Sequence, residues 1–245
     1  TNRCEASRPS PSRLLLHHDQ LALHVAVAVH GDDVLTGAEL VLCQSWFAMD
    51  VVTACERLQV TGISAVPAIW IDVLRLEGRV ELLRGTGSVR YLTVSAGSLS
   101  AAELVRLRRL FARAGIYCTY GQTEAFRSSI LKPSEFDAKM TSVGRPVSGT
   151  EVVVVNDRGQ PVPPGEEGEI LHGGAGTMLG YLDDDAATAA KIRRHPCGAP
   201  RGGSPAHVVY TGDIGCFDAD GYLYVRGRRD GMIKVSGHRV HPMEL

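Results

Sequence analysis

No CxxC pair occurs among the six cysteines (Cys4, Cys43, Cys55, Cys118, Cys197 and Cys216), so neither a zinc site nor a small disulfide scaffold is signalled. That scatter points to a reduced, cytoplasmic chain. No apolar run reaches the roughly 18–20 residues needed to span a bilayer. Residues 1–13 lack an initiator methionine and the apolar core of a signal peptide, and read as a disordered leader or a cut edge. A dominant charge is missing too. The formal net charge is −1, which gives no bulk attraction to nucleic acid or anionic membranes. Any phosphate ligand must then be held by local groups. No G-x-x-x-x-G-K-S/T loop is present to do so, and no internal repeat marks an array. What is present suits a packed core: 44% hydrophobic and 22% charged residues in 245, enough for one large domain or two small ones.

The first part of the chain alternates strand-like and helix-like segments. Leu21 to Val29 is mostly apolar, and Glu39 to Cys43 reads as a buried strand. Asp50 to Leu58 has apolar residues at helical spacing. Thr61 to Val66 returns to strand, and Pro67 opens a helix running to Leu76. Between Arg90 and Tyr120 a strand, a helix and a strand follow one another. Ser100 and Glu103 have capping-box spacing, and Gly115 is expected to close the helix with positive φ. Such a unit implies a right-handed crossover and a parallel strand pair. The loops Ser95 to Leu99 and Gly121 to Glu124 would then leave the same sheet edge, where ligands bind. After about residue 142 the strands shorten and Gly, Pro and Asp divide them, as in a small antiparallel barrel. Val208 to Thr211 and Gly215 to Asp218 read as separate strands, and residues 193–206 as an exposed loop.

Four segments carry the chemistry: Tyr120-Gly121-Gln122-Thr123-Glu124, Ser142 to Pro146, Tyr210-Thr211-Gly212-Asp213, and Gly227 to Arg239. In this order and spacing, with Gly165 to Ile170 and Gly180-Tyr181 between them, they resemble the adenylate-forming superfamily of acyl-CoA synthetases, nonribosomal adenylation domains and luciferase. The first and last also resemble a bacterial acyl-CoA ligase-like group. The resemblance implies an α/β fold: a partial parallel subdomain over residues 14–142, a small antiparallel β-barrel over 143–229, and a hinge with the first strands of a C-terminal domain over 230–245.

It also implies roles. ATP converts a carboxylate into a mixed anhydride with AMP, so the protein must hold a nucleoside and neutralise charge at the α-phosphate. Tyr120 would offer a flat face to adenine, and a core aromatic is the plain alternative. Gly121 would let the ligand approach the backbone. Thr123 would donate to an α-phosphate oxygen. Glu124 would hold Mg²⁺. Ser95, Ala96 and Gly97 would flank the adenine. Asp213 would accept from the ribose hydroxyls, Arg228 would add a cation beside them, and Asp230 would be the hinge. Lys234 and Gly237 would face the pantetheine arm of coenzyme A or of an acyl carrier protein. Trp70 and His17-His18-Asp19 are candidates for the acyl pocket, Trp70 equally for the core. Gly173 to Gly176 misses the dinucleotide spacing, and Asp218 to Gly221 suits a hairpin turn better than a calcium loop.

Two family parts have no counterpart here: the Ser/Thr/Gly-rich phosphate loop and the downstream catalytic lysine. The expectation is therefore an acid–thiol ligase by ancestry whose 245 residues alone bind nucleotide weakly and turn over little. An amino-acid-adenylating domain, with Asp19 facing the amino group, and a non-catalytic relative remain as alternatives.

Overall fold

In the computed structural model, the described residues are 13–17, 39–43, 47–78, 86–197, 206–231, 233–235 and 238–240. Leu21 to Val29, His18, Asp19 and Gly237 lie outside them, and the side chains of His17 and Lys234 are likewise undescribed.

A seven-stranded sheet is built from Arg13–His17 (β1), Glu39–Cys43 (β2), Gly62–Ala65 (β3), Tyr91–Val94 (β4), Gly115–Gln122 (β5), Ala125–Leu131 (β6) and Arg145–Pro146 (β7). Its order is β2-β1-β3-β4-β5-β6-β7. The pairs from β2 through β5 are parallel, whereas β6 and β7 run antiparallel. Three helices pack on it: Ala48–Leu58 (α1), Pro67–Leu74 (α2) and Ala101–Leu110 (α3). In α1, Ala48, Val51, Val52 and Cys55 recur on one face and are buried. Pro67 begins α2, where its fixed φ costs no hydrogen bond. In α3, Ser100 Oγ accepts from the Glu103 amide, and the Glu103 carboxylate accepts from the Ser100 amide at 2.7 Å.

Two expectations are corrected here. The helix α3 ends at Leu110 with Phe111 as its cap, so Gly115 does not close it. Gly115 instead opens β5, where a Cβ would lie 2.8 Å from the Pro133 ring. Trp70 is fully buried, donates from Nε1 to the carbonyls of Ala65 and Thr93 at 3.2 and 3.1 Å, and meets the Phe111 ring edge-on. It belongs to the buried core cluster.

The segment between Ala125 and Pro146 gave no element from its pattern; it supplies β6, the helix Pro133–Lys139 (α4) and β7. Beyond it, Thr150–Val155 (β8), Gly168–Gly174 (β9), Ile192–Arg194 (β10), His207–Phe217 (β11) and Leu223–Arg228 (β12) form a five-stranded antiparallel sheet. Both β10 and β12 pair with β11 on the edge away from β9. Residues 193–206 are thus not all exposed loop: Arg193 and Arg194 lie in β10, and His195 is buried. A helix, Asp185–Lys191 (α5), precedes β10, and Ile233–Val235 (β13) pairs with His238–Val240 (β14).

The two larger sheets are sewn together along the Ser142 to Pro146 segment. Leu223 exchanges backbone bonds with Val143 and Gly144, and Ser142 Oγ donates to the Leu223 carbonyl at 2.7 Å. Gly144 has φ +88°, and a Cβ there would run into the Ile130 backbone, so only glycine lets this seam close. Lys139 of α4 donates to Asp218 and Asp220 at 2.7 Å each, fixing the turn before β12.

His172 of β9 adds a buried stitch. Its Nε2 donates to the Ala175 carbonyl at 3.0 Å, and its Nδ1 accepts from Ser128 of β6 at 2.9 Å. Burial holds its imidazole below the ordinary value, against a smaller opposite pull from the Ala175 carbonyl. The folded chain therefore keeps His172 neutral where the unfolded chain takes up a proton. Its stabilising contribution is complete above pH about 6.5 and is lost as pH falls further, at up to about 1.4 kcal/mol per pH unit. Urea midpoints measured from pH 7.5 to 5.5 are expected to fall, and His172→Gln to flatten that slope. An unchanged slope in the variant would assign the titration elsewhere.

Among the described residues no helix is long and apolar enough to cross a membrane. Cys55, Cys118, Cys197 and Cys216 are free thiols, and burial pushes the Cys118 thiol up to about 12.

Candidate active site

The parallel register pairs Val94 of β4 with Cys118 of β5, so both strands end at one sheet edge. From β4 the chain enters Ser95-Ala96-Gly97. Ala96 adopts left-handed φ, and a Cβ on Gly97 would lie 3.0 Å from Pro67. The Ser95 hydroxyl is buried with no hydrogen-bond partner among the described residues. From β5 the chain makes a tight hairpin into β6 with Thr123 and Glu124 at its turn. Thr123 is exposed and Glu124 buried. Gly121 serves this hairpin: a Cβ would lie 2.6 Å from the Arg127 amide nitrogen, so its open side is filled by the chain itself.

Asp213 lies inside β11, not in a turn after a strand. Gly212 has φ +75°, and the pairing with β9 shifts register between Tyr210 and Ile214. Such an irregularity re-aims a side chain. Here it sends the Asp213 carboxylate toward β5. Tyr120, 93 residues away, donates its hydroxyl to Asp213 Oδ2 at 2.7 Å. Gln122 Nε2 donates to the same oxygen at 3.2 Å. Arg228 of β12 donates from Nη1 to Asp213 Oδ1 at 2.9 Å, and from Nε and Nη2 to the Asp230 carboxylate at 3.1 and 2.9 Å.

Tyr120 and Asp213 are both less than a tenth exposed. Tyr120 belongs to a buried cluster with Val152, Val154, Ile170 and Leu223. Burial first, then the Asp213 charge, raises its phenol well above the ordinary value, so Tyr120 stays a donor. The fork to Asp230, partly offset by burial, raises the Arg228 guanidinium further, and it stays charged. Lys191 approaches the same turn, donating to the Tyr210 and Thr211 carbonyls at 3.4 Å.

At the hairpin turn, Glu124 Oε1 accepts from the Tyr181 hydroxyl at 2.5 Å. No group of three or more His, Cys, Asp or Glu side chains suited to a metal occurs among the described residues. A lone buried carboxylate does fit Mg²⁺ of the kind that substrate phosphates share, since that ion uses one or two carboxylates and keeps its other positions for phosphate and water.

The structure thus brings Tyr120, Asp213, Arg228 and Asp230 into one bonded cluster, with Thr123 and Glu124 at the end of the same hairpin. Ser95, Ala96 and Gly97 leave the same sheet edge. Lys234 lies in β13, with no described contact to this cluster.

Residues 34–182, more than half of the chain, match the family of AMP-binding enzymes. The chain belongs to that family. Within it, the chain is 33% identical over 196 residues to pyochelin synthetase PchF of Pseudomonas aeruginosa, covering 78% of this chain and 10% of that protein. It is 31% identical over 213 residues to the 2-succinylbenzoate–CoA ligase of Bacillus licheniformis, covering 86% of this chain and 40% of the ligase. Among solved structures, the O-succinylbenzoate coenzyme A synthetase (MenE) of Bacillus subtilis, in complex with ATP and magnesium ion, superposes with a TM-score of 0.74 at 26% identity. That match covers 97% of this chain and 46% of the synthetase, so the chain spans less than half the length of these relatives.

Two members of the site were not singled out from the sequence of this chain. Gln122 was detectable: it lies two residues after Tyr120 on a strand, hence on the same face. Tyr181 was quoted as part of a Gly-Tyr pair, but nothing local ties it to Glu124, 57 residues away.

Proposed function

We propose that the chain acts as part of an AMP-forming acid–thiol ligase. A carboxylate oxygen attacks the α-phosphorus of ATP and pyrophosphate leaves. A thiolate sulfur then attacks the acyl carbon and AMP leaves. The observation that carries this reading is the 2.7 Å bond between Tyr120 and Asp213, which joins a strand end of the parallel sheet to the barrel at a single carboxylate. Two surfaces on either side of one nucleoside must meet in this way. The solved relative bound to ATP and magnesium supports the same nucleotide and ion.

In this reading Asp213 receives the ribose, held in place by Tyr120 and Arg228. The exposed Thr123 hydroxyl donates to an α-phosphate oxygen. Glu124 would hold Mg²⁺, which when bound neutralises charge on the phosphates. Ser95 to Gly97 border the base. Asp230, gripped by Arg228, is the hinge, and Lys234 and Gly237 belong to the thiol side. The acceptor is coenzyme A or a carrier-protein arm, and the setting is the cytoplasm. Similarity to a probable nonribosomal peptide synthetase of Salinispora arenicola favours one second reading, an amino acid as the activated acid.

Isothermal titration of residues 1–245 with ATP and Mg²⁺ is expected to show weak, saturable binding, while pyrophosphate release stays near background with any of a panel of fatty, aryl and amino acids. No heat of binding from a folded sample would sink the nucleotide reading. Robust turnover would instead sink the requirement for the phosphate loop and lysine, and the preferred acid would choose between the two substrate readings.

A further inference from the structure

The glycine-rich stretch Gly173 to Gly176, which misses the dinucleotide spacing, leads into a loop strapped to the β5–β6 hairpin on both sides of Glu124. The Phe126 amide donates to the Gly176 carbonyl at 2.8 Å, and the Met178 amide donates to the Glu124 carbonyl at 3.0 Å. Between these bonds Thr177 pairs with Ala125 in an isolated bridge. Gly176 has φ +82°, and a Cβ there would lie 2.4 Å from the Phe126 carbonyl oxygen, so a side chain would push the strap off the hairpin. The same loop brings Tyr181 to Glu124, where its hydroxyl donates to Oε1 at 2.5 Å. Tyr181 is itself pinned: its amide donates to Thr188 Oγ1 of α5 at 2.8 Å, and Asp184 caps that helix by accepting from the Ala187 amide.

Glu124 is thus held at two ends, its main chain by Met178 and its Oε1 by Tyr181. Together they fix the plane of the carboxylate. A carboxylate meets a cation through one oxygen or clamps it with both, and clamping needs that plane to turn toward the ion. Mg²⁺ and Ca²⁺ differ in which they accept. Mg²⁺ demands octahedral geometry at about 2.0–2.1 Å and keeps several waters, which suits a single oxygen from a fixed carboxylate. Ca²⁺ takes about 6–8 oxygens at about 2.3–2.6 Å and profits from a carboxylate able to turn and clamp.

We infer that Tyr181 is a specificity-determining residue for the metal: by holding Glu124 Oε1 it limits Glu124 to one-oxygen ligation and makes the site prefer Mg²⁺ to Ca²⁺. The inference rests on the reading that Glu124 holds the ion, and deepens it. Tyr181 acts through Glu124 and is a positioning residue. If the strap were merely structural, loosening it would weaken ATP binding alike with either ion and with none. Positioning instead changes the ratio between the two ions.

The test is isothermal titration of the full chain with ATP in Mg²⁺, in Ca²⁺ and in EDTA, using wild type and Tyr181→Phe, each checked by thermal melting. Wild type is expected to bind ATP about tenfold more tightly with Mg²⁺ than with Ca²⁺, the low end of what partners of a metal ligand contribute. In Tyr181→Phe that ratio falls to near one through loss of affinity in Mg²⁺, and affinity in EDTA stays as in the wild type. A folded variant that keeps the full preference for Mg²⁺ overturns the inference and leaves the reading of Glu124 standing. So does a variant weakened equally under all three conditions, which assigns Tyr181 to the strap alone. A wild type that binds ATP equally well with the two ions, yet more weakly in EDTA, overturns it without any variant having to fold. Equal wild-type affinity in Mg²⁺ and in EDTA sinks the reading of Glu124 and the inference with it.

Discussion

Asp213→Ala is expected to weaken ATP binding by about 10²-fold, because a hydrogen bond to a charged group contributes about 1.5–3 kcal/mol and the substitution also frees the groups that shape the site. Among the described residues, Tyr120 would lose its acceptor, Arg228 would keep Asp230 and the Thr211 carbonyl, and Gln122 would keep its long contact to that carbonyl. The Arg228 and Asp213 side chains are 14% and 12% exposed, so the pair is shielded from water. Arg228 keeps Asp230, so the loss of stability falls below the about 3–5 kcal/mol that a buried charge left wholly unpaired costs. The titration therefore belongs at a temperature where far-UV circular dichroism shows the variant folded. Charge alone argues for the opposite result. Deleting an anion beside a polyphosphate would tighten binding if long-range attraction governed affinity. Tighter or unchanged ATP binding by Asp213→Ala would remove the ribose from this carboxylate.

Glu124→Gln is expected to abolish the effect of Mg²⁺ on ATP affinity while sparing the fold. The amide is isosteric, and its oxygen can still accept from Tyr181, which now donates to Oε1 at 2.5 Å. What disappears is the negative charge that this side chain would offer a hard divalent cation. Weakening even the groups that merely orient a metal ligand costs about 10–100-fold in metal affinity, so losing the ligand should cost at least that. Titrating ATP with Mg²⁺ and again with EDTA gives the ratio directly. Wild type should show a clear ratio and Glu124→Gln a ratio near one. An equal ratio in both proteins would put the ion on other groups.

Much of this architecture was legible before any coordinates. The capping box at Ser100 and Glu103, the proline at the start of α2 and the apolar stripe of α1 depend on residues three or four positions apart, and local spacing is what a sequence displays. The strand–helix–strand unit ending in β5 could be read for the same reason, and chirality then fixed its parallel pairing. Failures came where partners are distant. Gly115 was assigned a turn conformation, but the pressure on it comes from Pro133 across the strand. Trp70 looked equally suited to pocket and core until Phe111 and the Ala65 and Thr93 carbonyls enclosed it.

The order and spacing of its motifs determined which family this chain belongs to and which side chains could serve a nucleotide, because chemistry-bearing residues keep their identity whatever surrounds them. Only the tertiary structure decided how those side chains are employed: that a register shift in β11 turns Asp213 toward β5, that Arg228 grips two carboxylates, that Tyr120 is buried, and that Tyr181 holds Glu124. Register, burial and hydrogen-bond saturation depend on segments as far as 93 residues apart, and no local pattern of residues encodes them.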